Sequence, residues 1–203
     1  MISFRNVNLS FDDNKIINNL NLNIKEGDKF LLNQKSGCGK TTLIKTIMGF
    51  TEPDSGTITI NKNIINHNNI NKIRADIFYL DQDVTLPELR IKDLFNEIQN
   101  YKYNKNIYKN FDLNRLISEF QLDKDILEKN IKKLSGGERQ RVGLIIGILL
   151  NRPIWLLDEP TSALDDDLKY FVKKRVESLK KTVLIISHDN CWNNIPVLEW
   201  RSI

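Results

Sequence analysis

Lys40 and Thr41 close a glycine-containing stretch, Gln34-Lys35-Ser36-Gly37-Cys38-Gly39-Lys40-Thr41-Thr42, set between the apolar residues Phe30, Leu31 and Leu32 and a helical pattern that begins at Leu43. A strand, a turn and a helix start in that order gather backbone N–H groups where the helix dipole favours an anion, and phosphate is the natural occupant. Gly37, Gly39, Lys40 and Thr41 fit the second half of the pattern G-x-x-x-x-G-K-[ST], in which the lysine reaches the outer phosphates and the hydroxyl binds Mg2+. Gln34 stands where that pattern has its first glycine. A side chain in a left-handed conformation there costs roughly 1 to 2 kcal/mol. Hydrogen bonds to charged groups contribute roughly 1.5 to 3 kcal/mol each, so such strain weakens phosphate binding without abolishing it.

A loop hydroxyl alone is a weak ligand for a cation that prefers an octahedron of oxygens, so a carboxylate is expected elsewhere. Ile154-Trp155-Leu156-Leu157-Asp158-Glu159 supplies it. Asp158 falls at the carboxyl end of an apolar run, where open α/β sheets bind ligands, and Glu159 is placed to accept a proton from an attacking water. A second phosphate-binding device follows from Leu134-Ser135-Gly136-Gly137-Glu138-Arg139-Gln140-Arg141, where Ser135, Gly136 and Gly137 put a hydroxyl and close-approaching N–H groups at a helix start. One nucleotide needs only one such device. Two in one chain imply that each nucleotide is held by two chains.

The elements that must position these residues are legible from periodicity. Ile2 to Phe11, and then Leu20, Leu22 and Ile24, alternate as two half-buried strands about a turn at Asp12-Asp13-Asn14. Phe30 to Leu32 is the strand feeding the loop, a helix runs from about Lys40 to Met48, and Gly49 stops it. Strands are expected at 57–60 and 77–80, and helical periodicity from Ile91 to about Leu149. Ile154 to Leu157 and Thr182 to Ile186 read as strands buried on both faces of a parallel sheet, joined by a helical crossover within Asp165 to Lys181. Val197 to Trp200 is one further strand candidate.

Hydrophobic residues at 40% and charged residues at 28% describe a soluble globular chain, and the longest apolar-rich run, Val142 to Leu150, is far shorter than the ~20 residues a membrane helix needs. The N-terminus lacks the apolar core of a signal peptide, which predicts a cytosolic protein. Cys38 and Cys191 have neither metal-ligand nor disulfide-framework spacing and are expected as reduced thiols. A net charge of +4 is modest, and Lys102, Lys105 and Lys109 carry no base-stacking motif, so no nucleic-acid partner is expected. Asparagine is frequent, above all from Asn61 to Asn71, and reads as compositional bias.

Leu134 to Gln140, the phosphate loop, Asp158-Glu159 and His188, taken in this order and spacing, resemble the ATP-binding cassette (ABC) family over nearly the whole chain. The resemblance implies an α/β fold, the ABC type of P-loop NTPase, with a mixed-sheet core, an N-terminal antiparallel β-subdomain and an inserted helical subdomain. It implies one nucleotide-binding domain over 1–203, with the ATP-binding core in 1–82 and 150–203 and the helical subdomain in 83–149. Gln34 to Thr42, with Ser135, Gly136 and Gly137, would hold ATP, and Phe11 matches the aromatic that stacks on adenine. Thr41, Asp158 and Gln82 match the Mg2+ site. Glu159 is implied as general base, aided by Lys40, by Gln82 near the attacking water and by His188 as the switch histidine. Ala163 and Asp165, in Ser162-Ala163-Leu164-Asp165, match the loop that contacts the opposite subunit.

The partners implied are a second copy or a homologous ABC subunit, and an integral membrane permease docking near Gln82 and the helical subdomain. That places the chain on the cytoplasmic face of the cell membrane, as an ATPase subunit of a transporter. The short ending after His188 resembles minimal bacterial cassettes paired with a separate permease, some of them proposed for metal export. A soluble non-transport ABC ATPase and a regulatory nucleotide-binding module, weakly hydrolytic because of Gln34, are the alternatives.

Overall fold

A computed structural model describes residues 1–11, 14–32, 39–104 and 112–200. Gln34, Lys35, Ser36, Gly37 and Cys38, the turn residues Asp12 and Asp13, and Lys105 and Lys109 lie outside the described residues.

Strands β1 (Ile2–Phe11), β2 (Asn14–Ile24), β4 (Ser55–Ile60) and β5 (Asn63–Ile64) form an antiparallel sheet in the order β2-β1-β4-β5. Strands β3 (Lys29–Leu31), β6 (Ile77–Leu80), β7 (Ile154–Asp158) and β8 (Thr182–Ile186) form a parallel sheet in the order β3-β8-β7-β6. Both strand directions expected of the fold are present, divided between two sheets. Every residue of β7 and β8 is buried, which is why their sequences are continuous apolar runs instead of alternating ones.

The pleat of the parallel sheet sorts its side chains into two cores. Phe78, Leu80, Trp155, Leu157, Val183 and Ile185 face one cluster, shared with the long helices; Ile77, Ile154, Leu156, Leu184 and Ile186 face the other, shared with the antiparallel sheet. Helices α1 (Lys40–Ile47) and α2 (Ile70–Arg74) belong to the second side, where Leu43, Ile44, Ile47 and Ile73 are buried. The helical stretch on the first side is broken into α3 (Ile91–Asn100), α4 (Leu113–Glu119) and α5 (Gly136–Leu150), with single 3-10 turns at Lys124–Glu128 and Ile131–Lys133. Helix α6 (Asp166–Ser178) makes the crossover from β7 to β8.

Helix α5 seats on β6 through two glycines. A Cβ at Gly143 would lie 2.6 Å from Leu80 Cδ1, and one at Gly147 would lie 2.3 Å from Phe78 Cε1. Phe78 cannot retreat, because its ring stands edge-on to Trp155 with centroids 4.8 Å apart. Gly147→Ala gains about 1 kcal/mol of helix propensity but overpacks this seat, at a cost of about 1 to 3 kcal/mol. The expected result is a lower urea midpoint in spite of the better helix former.

Residues 197–200 do not form the expected strand. Leu31 and Val197 make an isolated parallel bridge, with Leu31 N donating to Pro196 O and Leu198 N to Leu31 O, each at 2.9 Å. Proline at 196 has no N–H with which to extend the ladder backwards, and Leu198 and Trp200 turn into the core.

Candidate functional site

Gly39 precedes α1 in a left-handed conformation, φ 91°, and the first turn of α1 contributes no acidic residue of its own to oppose an anion at the helix N-terminus. Lys40 is buried, and its Nζ lies 3.4 Å from His188 Nε2. Thr41 Oγ1 donates to Asp158 Oδ2 at 3.4 Å, bringing α1 to the carboxyl end of β7. Gly39, Lys40, Thr41, Thr42, Gln82, Asp158, Glu159, Ser162 and His188, with the apolar Ile16 and Ile186, line one open cleft of about 440 Å³.

Burial pushes the Asp158 carboxyl above the usual carboxylate range; neighbouring Glu159 adds to this, while Thr41 and Lys40 pull the other way. The same burial, together with Asp158 and Asp81, pushes the Tyr79 phenol up to about 12. A cation between Thr41 and Asp158 would relieve this excess of negative charge. The donors fit magnesium: a carboxylate, a hydroxyl and the Gln82 amide are hard oxygens, and no cluster of three His, Cys, Asp or Glu exists among the described residues to build an all-protein cage. Magnesium is bound in just this way, through one or two carboxylates with the rest supplied by phosphates and water.

Glu159 is held from several directions. Its backbone is left-handed, φ 48°, unusual for a residue with a Cβ. Its N–H donates to Ile186 O at 2.8 Å, and its carbonyl accepts from Gln140 Nε2 at 2.8 Å and from Ser162 Oγ at 3.1 Å. Its carboxylate accepts from Ser187 Oγ at 3.0 Å and from the His188 N–H at 3.4 Å. The segment carrying His188 is braced in turn: Asp189 accepts from Thr161 Oγ1 at 2.6 Å and Lys169 Nζ at 2.8 Å, and Trp192 Nε1 donates to Thr161 Oγ1. Burial alone would raise the Asp189 carboxyl, but the bonds from Lys169 and Thr161 win and hold it low.

Ser135, Gly136 and Gly137 do not line this cleft. Ser135 caps α5 in a reciprocal box, accepting from Glu138 N at 3.1 Å and donating its own N–H to Glu138 Oε2 at 2.8 Å. The bond from the Ser135 N–H, helped by Lys129 and by the Ser135 hydroxyl, holds the Glu138 carboxyl low against its partial burial. Gly136 and Gly137 rest on the Ala163 loop, where a Cβ at Gly137 would lie 2.8 Å from Ala163 O. Asp165 caps α6 by accepting from Leu168 N, and Ala163 is exposed. Phe11 is 48% exposed at the end of β1, which excludes a core role, but it is not among the residues lining the cleft.

Ile16, Gln140 and Ser187 belong to the site and were not singled out from sequence. Ser187 precedes His188 at the end of a buried strand, which was a usable signal. Gln140 lies in the Ser-Gly-Gly segment, where the helix start drew the attention, and Ile16 had only strand periodicity to mark it.

A family model described as "ABC transporter" matches residues 17–162. The chain is 35% identical over 201 residues to a spermidine/putrescine import ATP-binding protein, PotA, of Legionella pneumophila, covering 93% of this chain and 52% of that protein. It thus spans about half the length of the PotA relatives it matches. To the probable iron export ATP-binding protein FetA of Escherichia coli it is 33% identical, covering 93% of this chain and 85% of that protein. Among solved structures, a dimeric ATP-binding cassette in a post-hydrolysis state with ADP and Pi superposes with a TM-score of 0.75 at 26% identity, covering 93% and 88% of the two chains. An ATP-binding subunit of an ABC transporter gives 0.83 at 23% identity over 93% and 79%, a likeness of fold alone. The matched region runs from within β2 through Lys40-Thr41 and Ser135-Gly136-Gly137 to just past Asp158-Glu159, and on these grounds the chain belongs to the ABC transporter family.

Proposed function

We propose that this chain binds Mg-ATP in the Lys40 cleft, pairs with a second copy or a homologous ABC subunit across the nucleotide, and hydrolyses ATP to drive a membrane permease. One observation carries the reading: the cleft gathers Lys40, Thr41, Gln82, Asp158, Glu159 and His188, while the other phosphate device, Ser135 to Gly137, stands outside it on the Ala163 loop. Each nucleotide then lies between the cleft of one subunit and Ser135, Gly136 and Gly137 of the other, with Ala163 and Asp165 in the contacting loop. In this reading Gln34 to Cys38 belong to the ATP-binding residues, and Phe11 contributes the adenine-stacking aromatic.

In this scheme Lys40 and the α1 N-terminus offset charge on the transferring phosphoryl group. Thr41, Asp158 and Gln82 would hold Mg2+, which would supply charge neutralisation at the phosphates. Glu159, aimed by Ser187, takes the proton of the attacking water, and His188 stands between Lys40 and Glu159 to position the outer phosphate. No helix among the described residues is long and apolar enough to cross a membrane. In this reading the cargo path belongs to the permease, docked near Gln82 and the 83–149 helical subdomain on the cytoplasmic face. The relatives are named for spermidine/putrescine import and for probable iron export, and the cargo here is set by that partner.

The test is light scattering of the purified chain carrying Glu159→Gln, with and without Mg-ATP. A dimer that forms only with ATP is the expected outcome. A monomer at saturating ATP would overturn the shared-site reading.

A further inference from the structure

The proposed mechanism needs the Glu159 carboxylate at a fixed place, yet its backbone sits in a conformation that disfavours side chains. A left-handed residue with a Cβ is strained by roughly 1 to 2 kcal/mol, and such strain persists only where the surroundings over-determine it. The surroundings here converge on the Glu159 carbonyl, and the donor with the shortest bond to it is Gln140 Nε2, at 2.8 Å. Gln140 is 2% exposed and lies in α5, one turn beyond the Ser135 cap. Its other amide atom, Oε1, accepts from Ala163 N at 3.2 Å. One buried side chain thus spends its donor on the backbone of the base and its acceptor on the loop that Gly136 and Gly137 rest against.

We infer that Gln140 is a positioning residue: it fixes the backbone of Glu159 and ties it to the Ala163 loop, so that the aim of the base in one site follows the seating of the helix start that serves the other. The inference rests on the proposed role of Glu159 as general base. Gln140 does not itself line the cleft and reaches it through the Glu159 carbonyl, away from Lys40 and Thr41, so its effect belongs in the hydrolytic step and not in nucleotide affinity. Ser162 Oγ also bonds the Glu159 carbonyl, but Ser162 is exposed and its donation is local, whereas Gln140 reaches across from another element.

The experiment is a double-mutant cycle of Gln140→Met with Glu159→Gln. It measures single-turnover ATP hydrolysis per bound nucleotide, with affinity and urea unfolding determined in parallel. Misplacement of a reacting group by about 1 Å reduces rates by about 10²-fold. Gln140→Met is therefore expected to lower the parent rate by about 30- to 100-fold, leave nucleotide affinity within about twofold, and lower the Glu159→Gln rate by less than about threefold, because residues that act as a unit are not additive. Equal falls in both backgrounds would overturn the inference, since a general loss of structure acts regardless of the base. If Gln140→Met does not fold, Gln140→Glu carries the same cycle: ionised, it still accepts from Ala163 N but has no proton to donate to Glu159 O. A parent chain that turns over ATP at the Glu159→Gln rate would instead remove the base assignment, and with it any function for Gln140 in aiming it.

Discussion

Glu159→Gln is expected to lower ATP turnover by about 10² to 10⁴-fold, the range that general acid–base catalysis contributes. The substitution is close to isosteric, and an amide oxygen still accepts from Ser187 Oγ and from the His188 N–H, so the side chain keeps its place. What is lost is the basic lone pair facing the cleft. Nucleotide affinity, which depends on Lys40, Thr41 and the helix N-terminus, is expected to change by no more than about twofold. Steady-state turnover beside equilibrium binding of a fluorescent ATP analogue separates the two quantities. A variant that keeps more than a third of the parent rate would remove Glu159 from the chemistry and leave Asp158 to be tested in its place.

The second large effect is expected at Gly39→Ala. The left-handed backbone there costs an alanine roughly 1 to 2 kcal/mol, and the added Cβ would lie 2.4 Å from Ile16 Cγ2, so overpacking adds roughly 1 to 3 kcal/mol. If both penalties fall on the conformation that binds phosphate, affinity drops by roughly 30- to 3,000-fold at 1.4 kcal/mol per tenfold. Ile16→Ala in the same chain removes the collision but not the backbone strain, and should recover part of the loss. Titration with the same fluorescent analogue checks both variants. Full affinity in Gly39→Ala, or no recovery in the double variant, would mean that the loop binds nucleotide in a different conformation.

The parallel sheet was legible because burial on both faces leaves an uninterrupted apolar run, and β7 and β8 begin where their runs begin. The two helix starts that carry glycine were legible too: Gly39 precedes α1 and Ser135 caps α5, where the sequence put a turn before a helical pattern. Gln140 was not legible. Its partners are Glu159 and Ala163, and a glutamine near a helix start carries no mark of what its amide will meet across the core. Val197 to Trp200 had strand composition and keep a strand's alternation, with Leu198 and Trp200 buried, but Pro196 has no N–H to continue the ladder and one bridge to Leu31 is all that forms.

The asparagines are the clearest case of meaning hidden by composition. Asn6, Asn19, Asn61 and Asn151 all occupy left-handed backbone, which asparagine tolerates better than most side chains. Asn6 N donates to Asn21 Oδ1 at 3.0 Å and Asn19 N to Asn8 Oδ1 at 2.8 Å, so side chains replace the ladder bonds where the β1–β2 register shifts. A count of asparagines gives no hint of this, because the information lies in which residues face each other across the strands.

That arrangement also governs how copies of the chain can meet. Strand β2 is the rim of its sheet, and a long rim is an open template on which another molecule can add a strand. Here the rim is bent at Asn19 and shows solvent Asn14, Lys15, Asn18, Asn21 and Asn23, with no straight apolar row for a neighbour to extend. The rim is thus a poor meeting place, and self-association through stacked sheets is disfavoured before any ligand is present. In a molecule proposed to pair and part with each cycle of nucleotide, a blunted rim at β2 favours encounters between subunits that stay reversible.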